Sequence, residues 1–273
     1  MKNISINVQF NILLTTKCHC IVYFYPLTEK KMNLIVDVGN TLIKLAVFKA
    51  GELLLKKTAI KGDFPEILSE THSKYPQIEN CIVSSVGKIS EAQLDRLKKK
   101  YSLLVLDHNI AIPFNNRYAT PKTLGVDRIA LISAAAKEYP NKNVLVVDVG
   151  TCVTYDFISE ENNYLGGAIS PGLQMRYKAM HEFTEKLPFL ESEQAEHYIG
   201  NSTIRAMHSG AVNGMVYEID GFITDYASDF KNLTVILTGG DALFLRDRLK
   251  NDIFANSNFL LQGLNHILEH NKH

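Results

Sequence analysis

One phrase occurs twice in this chain. Residues 35–41 read Ile-Val-Asp-Val-Gly-Asn-Thr, and residues 146–151 read Val-Val-Asp-Val-Gly-Thr. Each is an apolar run, then an acid, then a glycine turn carrying a hydroxyl residue, and each leads into a second apolar run. Asp37 and Asp148 are the aligned acids. Groups of this kind suit a metal–nucleoside triphosphate. A carboxylate can hold Mg²⁺ directly or through water, because Mg²⁺ prefers oxygen ligands and keeps several waters. Gly39 lets the turn come close to a ligand, and the backbone N–H groups beside it can cradle phosphate oxygens. Lys44, three residues after Thr41, can reach a phosphate as a point charge. A single such turn is no more than a hairpin. Two copies in one chain imply related half-molecules whose carboxylates face each other across a cleft.

A third acid stands between the copies, in Gly125-Val126-Asp127-Arg128. An acid at a helix N-terminus is favoured by the dipole alone, which would account for Asp127 without chemistry. Phosphoryl transfer, however, needs a group to take the proton of the attacking hydroxyl, and a carboxylate serves. Arg128 beside it suits an anionic substrate. Three glycine-rich passages follow: Gly166 to Gly172, Gly200-Asn201-Ser202-Thr203, and Gly239-Gly240. Each alone is a turn signal. Together they are further places where backbone can approach a ligand.

These residues need elements to position them. Strands are expected at 32–38, 42–48 and 52–59, joined by turns at Gly39 and Gly51. A helix at 65–73 and a short buried strand at 80–85 follow. Ser90 and Gln93 form a capping-box pattern for the next helix, with Ile89 and Leu94 at the staple positions. The apolar spacing of Leu94, Leu97 and Tyr101 keeps that helix going, and Lys98 to Lys100 suit its negative end. A strand at 103–106 closes the first half. The stretch 109–121 reads as a connection, and 123–139 as a helix. The second half repeats the order, with strands at 144–147, 152–158 and 164–169, a helix from Pro171-Gly172 and a long helix at 201–226. A strand at 233–237 and helices at 242–250 and 259–270 finish the chain. Helices alternating with strands imply an α/β fold, and three hairpin-linked strands make each sheet mixed. The absence of G-x-G-x-x-G after a strand argues against a simple dinucleotide fold.

The chain has 273 residues, 29 basic and 29 acidic side chains, and no net charge. No basic stripe marks a nucleic-acid binder. Of the four cysteines, Cys81 and Cys152 sit in apolar runs and are expected as buried free thiols, while Cys18 and Cys20 lack the second ligand pair a structural zinc needs. No disulfide framework is visible, which fits a reducing cytoplasm. Residues 1–31 have no clear period and are broken by Lys17 and His19, so they suit neither a membrane span nor a cleavable signal. They are expected to be a leader outside the fold, with Met32 as the natural start.

The motifs as a set resemble type III pantothenate kinases, within the acetate-and-sugar-kinase and actin superfamily. The resemblance runs from Met32 to about His270. It rests on Asp37-Val38-Gly39-Asn40-Thr41 with Lys44, on Tyr118 before Gly125 to Arg128, on Asp148-Val149-Gly150-Thr151, and on the passages 166–172 and 200–203. It implies two duplicated actin-like, ribonuclease H-like domains (32–122 and 123–273) with mixed sheets and a central cleft. It implies ATP-dependent phosphorylation of pantothenate to 4′-phosphopantothenate, the first step of coenzyme A synthesis. Asp37, Val38, Gly39, Asn40, Thr41, Leu42, Ile43, Lys44 and Thr151 would bind ATP, used with Mg²⁺. Tyr118, Gly125, Val126, Asp127, Arg128 and Thr203 would bind pantothenate, and Asp127 would be the proton acceptor. Asp148 would hold a monovalent cation, K⁺ or NH₄⁺. The family is dimeric, with the acceptor site near the subunit interface, so a homodimer in the cytoplasm is expected, with no nucleic-acid or membrane partner. Two alternatives are a sugar or carboxylate kinase of the superfamily and a non-enzymatic regulatory factor of the family. The Gly-Val-Asp-Arg segment opposes the first, and the presence of Asp127 the second.

Overall fold

Strand 52–60 alternates exposed and half-buried residues, while strand 32–38 is buried on both faces. The first therefore belongs at a sheet edge and the second at a sheet centre. The structure, a computed structural model, describes residues 31–39, 42–85 and 89–272. The expected leader, Cys18 and Cys20, and the turn residues Asn40 and Thr41 lie outside them.

In chain order the first half has β1 (Met32–Val38), β2 (Leu42–Lys49), β3 (Glu52–Ile60), α1 (Phe64–Lys74), β4 (Ile78–Ser85), α2 (Glu91–Lys100) and β5 (Ser102–Val105). Their sheet order is β3-β2-β1-β4-β5. After β6 (Asn115–Asn116) and α3 (Val126–Glu138) come β7 (Val144–Val149), β8 (Cys152–Ile158) and β9 (Asn163–Pro171). Then follow α4 (Leu173–Glu182), α5 (Thr203–His208), α6 (Gly214–Asp229), β10 (Thr234–Thr238), α7 (Ala242–Leu245), β11 (Phe254–Ala255) and α8 (Phe259–His270). The second sheet is β11-β10-β7-β8-β9-β6. Setting β7 on β1 carries every strand of the first sheet onto a strand of the second in the same order. In each sheet the central strand pairs antiparallel with one neighbour and parallel with the other. The duplication expected from the repeated phrase is thus present in topology, with β6 added at one edge.

Strand alternation decides what lies on each face. From β1, Leu34 and Val36 point outward onto Phe64, Leu68 and Leu97 of α1 and α2. From β7, Leu145 and Val147 point outward onto Leu173, Tyr177, Met215 and Ile219 of α4 and α6. The other rows point inward. Ile35, Ala46 and Ile82 of one sheet and Val144, Val146 and Ile236 of the other share a core with Leu131 and Leu264, on α3 and α8. The helices α3 and α8 therefore lie between the sheets. Asp37 and Asp148 continue the same inward rows, two residues beyond Ile35 and Val146.

The capping box at Ser90 and Gln93 is present, and Ile89 and Leu94 pack on the first core. Several expectations need correction. The stretch 109–121 contains β6, because Asn115 and Asn116 pair with Asn163 and Tyr164. The helix expected from residue 123 begins at Val126, with Gly125 as its N-cap after a 3-10 turn at Pro121–Thr123. The long helix 201–226 begins at Thr203 and is interrupted by a π turn at Ser209–Asn213. The helix 242–250 stops at Leu245 and gives way to a 3-10 turn, since Asp220 of α6 takes the backbone N–H groups of Lys250 and Asn251. Cys81 is fully buried, but Cys152 is only partly so, because it opens β8 beside the exposed Thr151.

The two central helices cross where side chains are smallest. A Cβ built on Gly263 of α8 would stand 1.8 Å from Ala130 O and 3.3 Å from Ala134 Cβ of α3. A methyl group there must push the helices apart and loosen the shared core. Gly263→Ala is expected to destabilise the protein by about 2 kcal/mol, the middle of the overpacking range. A lower melting temperature would register it. An unchanged one would mean that the crossing is slack.

Candidate active site

Register brings the site together. Asp37 pairs with Lys44 on one side and with Ser84 on the other. Asp148 pairs with Thr154 and with Thr238. Directly paired residues project from the same face, so each sheet presents an inward row: Lys44–Asp37–Ser84 in one half and Thr154–Asp148–Thr238 in the other. Lys44 Nζ lies 3.8 Å from Asp37 Oδ2. Ser84 Oγ and Thr154 Oγ1 are buried without a hydrogen-bond partner. The turns beyond the acids close alike, with Gly39 N donating to Leu42 O and Gly150 N to Cys152 O, each at 3.0 Å. The second turn is one residue shorter. Val38 and Ile43 are buried in the outer core, so their side chains face away from the cleft. Leu42 and Thr151 are exposed.

The start of α3 delivers Asp127 to these rows. Its Oδ1 accepts from Arg128 N at 2.9 Å, and a Cβ on Gly125 would lie 2.3 Å from that oxygen. Only glycine leaves the carboxylate this place. Asp127 is close enough to Asp37 and to Asp148 for its charge to act on both. Burial pushes the Asp37 carboxyl up to about 6, with Lys44 opposing and Asp127 adding to the rise. Burial pushes Asp148 up to about 7, with Lys44 opposing and Asp127, Asp156 and Asp37 adding. Carboxylates gathered around one lysine call for more positive charge. Among the described residues no group of three or more His, Cys, Asp or Glu could hold a metal without other ligands. A hard cation here would draw on phosphate oxygens and water as well, which is how Mg²⁺ is usually held. The donors fit such an ion.

Arg128 turns away from Asp127 into the protein. Its Nε donates to Asp156 Oδ1 at 2.8 Å and its Nη2 lies 2.8 Å from the same oxygen. Tyr164 OH donates to that oxygen at 2.7 Å. The Tyr118 ring sits over the guanidinium at 5.6 Å and stacks on Tyr164 at 5.9 Å. Gly166, at φ +111°, permits this, because its Cβ would come within 3.3 Å of the Tyr118 ring. Gly172 lies against the second turn, where a Cβ would stand 2.2 Å from Gly150 O, and Gly239 lies beside Asp148 in the same way.

Thr203 is not brought to this cleft. Asp156 of β8 faces α3, and its neighbour Tyr155 points through the other face to Glu218 of α6, donating to it at 2.8 Å. Thr203 begins α5, which runs into α6, so it lies on the far side of the second sheet from Asp127. Ser202 caps α5, its Oγ accepting from Arg205 N at 3.3 Å. Sequence reasoning missed Ser84, Thr154, Asp156, Tyr164 and Thr238. The available signal was alternation: Thr154 and Asp156 are the polar members of one face of β8 and share it with the row of Asp148.

A family model described as type III pantothenate kinase matches residues 33–225. The chain belongs to the type III pantothenate kinase family. A relative of that name from Christiangramia forsetii is 53% identical over 241 residues, covering 88% of this chain and 99% of its own. Another from Flavobacterium johnsoniae is 51% identical over 233 residues, covering 85% and 96%. Among solved structures, a Campylobacter jejuni chain described as a Baf family transcriptional activator aligns with a TM-score of 0.57 at 24% identity, covering 87% of this chain and 98% of its own. A Listeria monocytogenes chain described as an N-acetylmannosamine kinase aligns at 0.51 and 15% identity, covering 88% and 99%. These two likenesses concern the fold alone, and the fold is that of two actin-like domains.

The raised carboxyls have a consequence for stability. A native carboxyl that keeps its proton where the unfolded chain has lost it stabilises the fold at low pH, and that contribution disappears as pH rises through the native value. For Asp148 the window runs from the ordinary 3.8 to about 7. Without ATP and divalent cation, Asp148→Asn is therefore expected to gain stability over the parent as pH rises from about 5 to about 8, at up to about 1.4 kcal/mol per unit. Chemical denaturation at both values measures it. A pH-independent difference would contradict the raised carboxyl.

Proposed function

We propose that the chain transfers the γ-phosphoryl group of ATP to the 4′-hydroxyl of pantothenate, the step that opens coenzyme A synthesis. The observation that carries this reading is the meeting of Asp127, at the start of α3, with the two inward rows of a duplicated fold, in a chain of the type III pantothenate kinase family. The relatives carry that name, and Asp127 is in place. Neither a sugar or carboxylate kinase nor a non-enzymatic factor gains comparable support.

In this reading Gly39 and the turn around it cradle the phosphates and Lys44 neutralises their charge. Thr151, on the shorter turn, borders the same nucleotide. A bound Mg²⁺ supplies further charge neutralisation on the phosphate oxygens; Asp37 is the residue that would hold it, as Asp148 would hold K⁺ or NH₄⁺. Asp127 takes the proton of the acceptor hydroxyl. Arg128 and Tyr118 meet the anionic end of pantothenate. Positioning and charge stabilisation dominate phosphoryl transfer, so a site made of fixed charges and turns is sufficient. Two halves, 32–122 and 123–273, would close around the substrates.

The far-side position of Thr203 supports a homodimer, in which Thr203 serves the site of a second copy. Exposed Tyr198, Ile199 and Ile204, beside Thr203 in the chain, would then be covered. Among the described residues no helix is long and apolar enough to cross a membrane. A cytoplasmic location suits soluble substrates of this kind.

The direct test supplies purified protein with ATP, Mg²⁺ and K⁺ and compares pantothenate with a panel of sugars and acetate. Turnover of pantothenate alone is the expected result, and preference for a sugar or acetate would overturn the reading. Asp127→Asn should lower turnover by at least ~10²-fold with little change in melting temperature, because the amide keeps the shape but cannot accept a proton. Near-normal turnover would reduce Asp127 to a helix-end residue.

Asp148 should also couple turnover to a monovalent cation. Strong activation by K⁺ over Na⁺ is expected, and it should vanish in Asp148→Ala. Equal rates in the two salts would remove the cation role.

A further inference from the structure

Asp156 has no part in the chemistry described so far, yet it is fully buried and on the inner face of β8. One of its oxygens accepts two hydrogen bonds and pairs ionically with Arg128 Nη2, which itself makes no hydrogen bond among the described residues. Arg128 Nε and Nη2 approach Oδ1 at 2.8 Å, and Tyr164 OH reaches it at 2.7 Å. Tyr118 completes a ring of contacts, lying over the Arg128 guanidinium and stacked on Tyr164. The backbone makes room for this ring. Gly167 pairs with Asp156 across β8 and β9 and adds no side chain there, and Gly166 lets the Tyr118 ring approach. Burial pushes the Asp156 carboxyl up, while Arg128, Tyr164 and the neighbouring Thr154 pull it back, although neither Asp156 Oδ2 nor Thr154 Oγ1 reaches bonding geometry with a neighbour.

A guanidinium that is 5% exposed cannot stay where it is without an opposite charge. Arg128 follows Asp127 directly in the chain, and Asp37 and Asp148 also lie near the start of α3. An Arg128 released from Asp156 has those carboxylates to turn to. It would then leave the substrate's anionic end and neutralise charge where the phosphoryl group is to be received.

We propose that Asp156 is a positioning residue for the acceptor substrate: it holds Arg128, through a ring closed by Tyr164 and Tyr118, in the orientation that receives the anionic end of pantothenate. This rests on the reading of Arg128 as an acceptor-binding residue. Asp156 is paired with Arg128 by direct contact and acts on Asp148 only through its charge, so its larger effect is routed through Arg128 and falls on the acceptor substrate.

The test is a double-mutant cycle on KM. Asp156→Asn keeps the shape and removes the charge. It is expected to raise KM for pantothenate at least about tenfold while leaving KM for ATP within about twofold, and Arg128→Ala should do the same. The double variant should resemble Arg128→Ala alone, because residues acting as a unit are not additive. A pantothenate KM unchanged in Asp156→Asn, equal shifts in both KM values, or additive effects would overturn the proposal. If Asp156→Asn does not fold, Tyr164→Phe carries the test, since it removes one donor to Asp156 and leaves the ion pair. A two- to threefold rise in pantothenate KM that disappears in the Arg128→Ala background is then expected, and no rise would overturn the proposal. Parent protein that does not phosphorylate pantothenate would overturn the function itself, whereas active parent with an unaffected Asp156 variant overturns only this assignment.

Discussion

Gly263 of α8 rests on the backbone of Ala130 in α3, and this contact sets how far apart the two sheets can stand. Both helices are buried between the inward rows of the sheets, and the core they share contains residues from every central strand. Each buried leucine or isoleucine of that core contributes roughly 1.5–3 kcal/mol by leaving water. The same rows end in Asp37 and Asp148. The spacing that satisfies the apolar core is therefore also the spacing at which the acids meet, and α3 brings Asp127 to them as part of one packing arrangement. Asn33, at the other end of the β1 row, donates to Asn265 at 2.7 Å and to Glu269 at 2.6 Å, which ties α8 to the first sheet.

Charge in the cleft is arranged at a cost to the fold. Buried acids beside one another are unfavourable unless cations lie among them. Lys44 offsets part of that cost, and Arg128 offsets none of it at the row itself, since it is committed to Asp156. The protein thus keeps these two cations apart, Lys44 beside Asp37 and Arg128 against Asp156. Ser84 and Thr154 leave buried hydroxyls without partners at the flanks of the rows. Buried polar groups of that kind are uncommon in cores, and here both stand beside the acids of the rows.

Much of this was legible before any coordinates. The repeated Asp-Val-Gly phrase carried the duplication, because a second copy of the same strand, acid and glycine turn implies a related half-molecule. Ser90 with Gln93 placed a helix start, because the capping box is a local bond. What the sequence did not disclose depended on distant partners. The helix after residue 242 ends early because Asp220, on another helix, claims the backbone that would have continued it. Thr203 was expected in the cleft through the family resemblance, and only the facing of Tyr155 and Asp156 to opposite sides of one strand shows that it lies elsewhere. Asp156 and Tyr164 sit in strands whose composition is that of ordinary core, so their link to Arg128 appears only in the structure, where Arg128 ends on Asp156 and Tyr164 bonds the same oxygen.

The two rows are related by the duplication, but they are not alike. Where the first half has Lys44 beside its acid, the second has Thr154, and where the first has Ser84, the second has Thr238. Two identical rows would offer a chain of phosphates the same welcome from either end. The exchange of a lysine for a threonine, with one residue fewer in the second turn, gives the cleft a polarity. Under the proposed reading, a triphosphate would have one favoured heading along it, with its terminal group delivered to the same place every time.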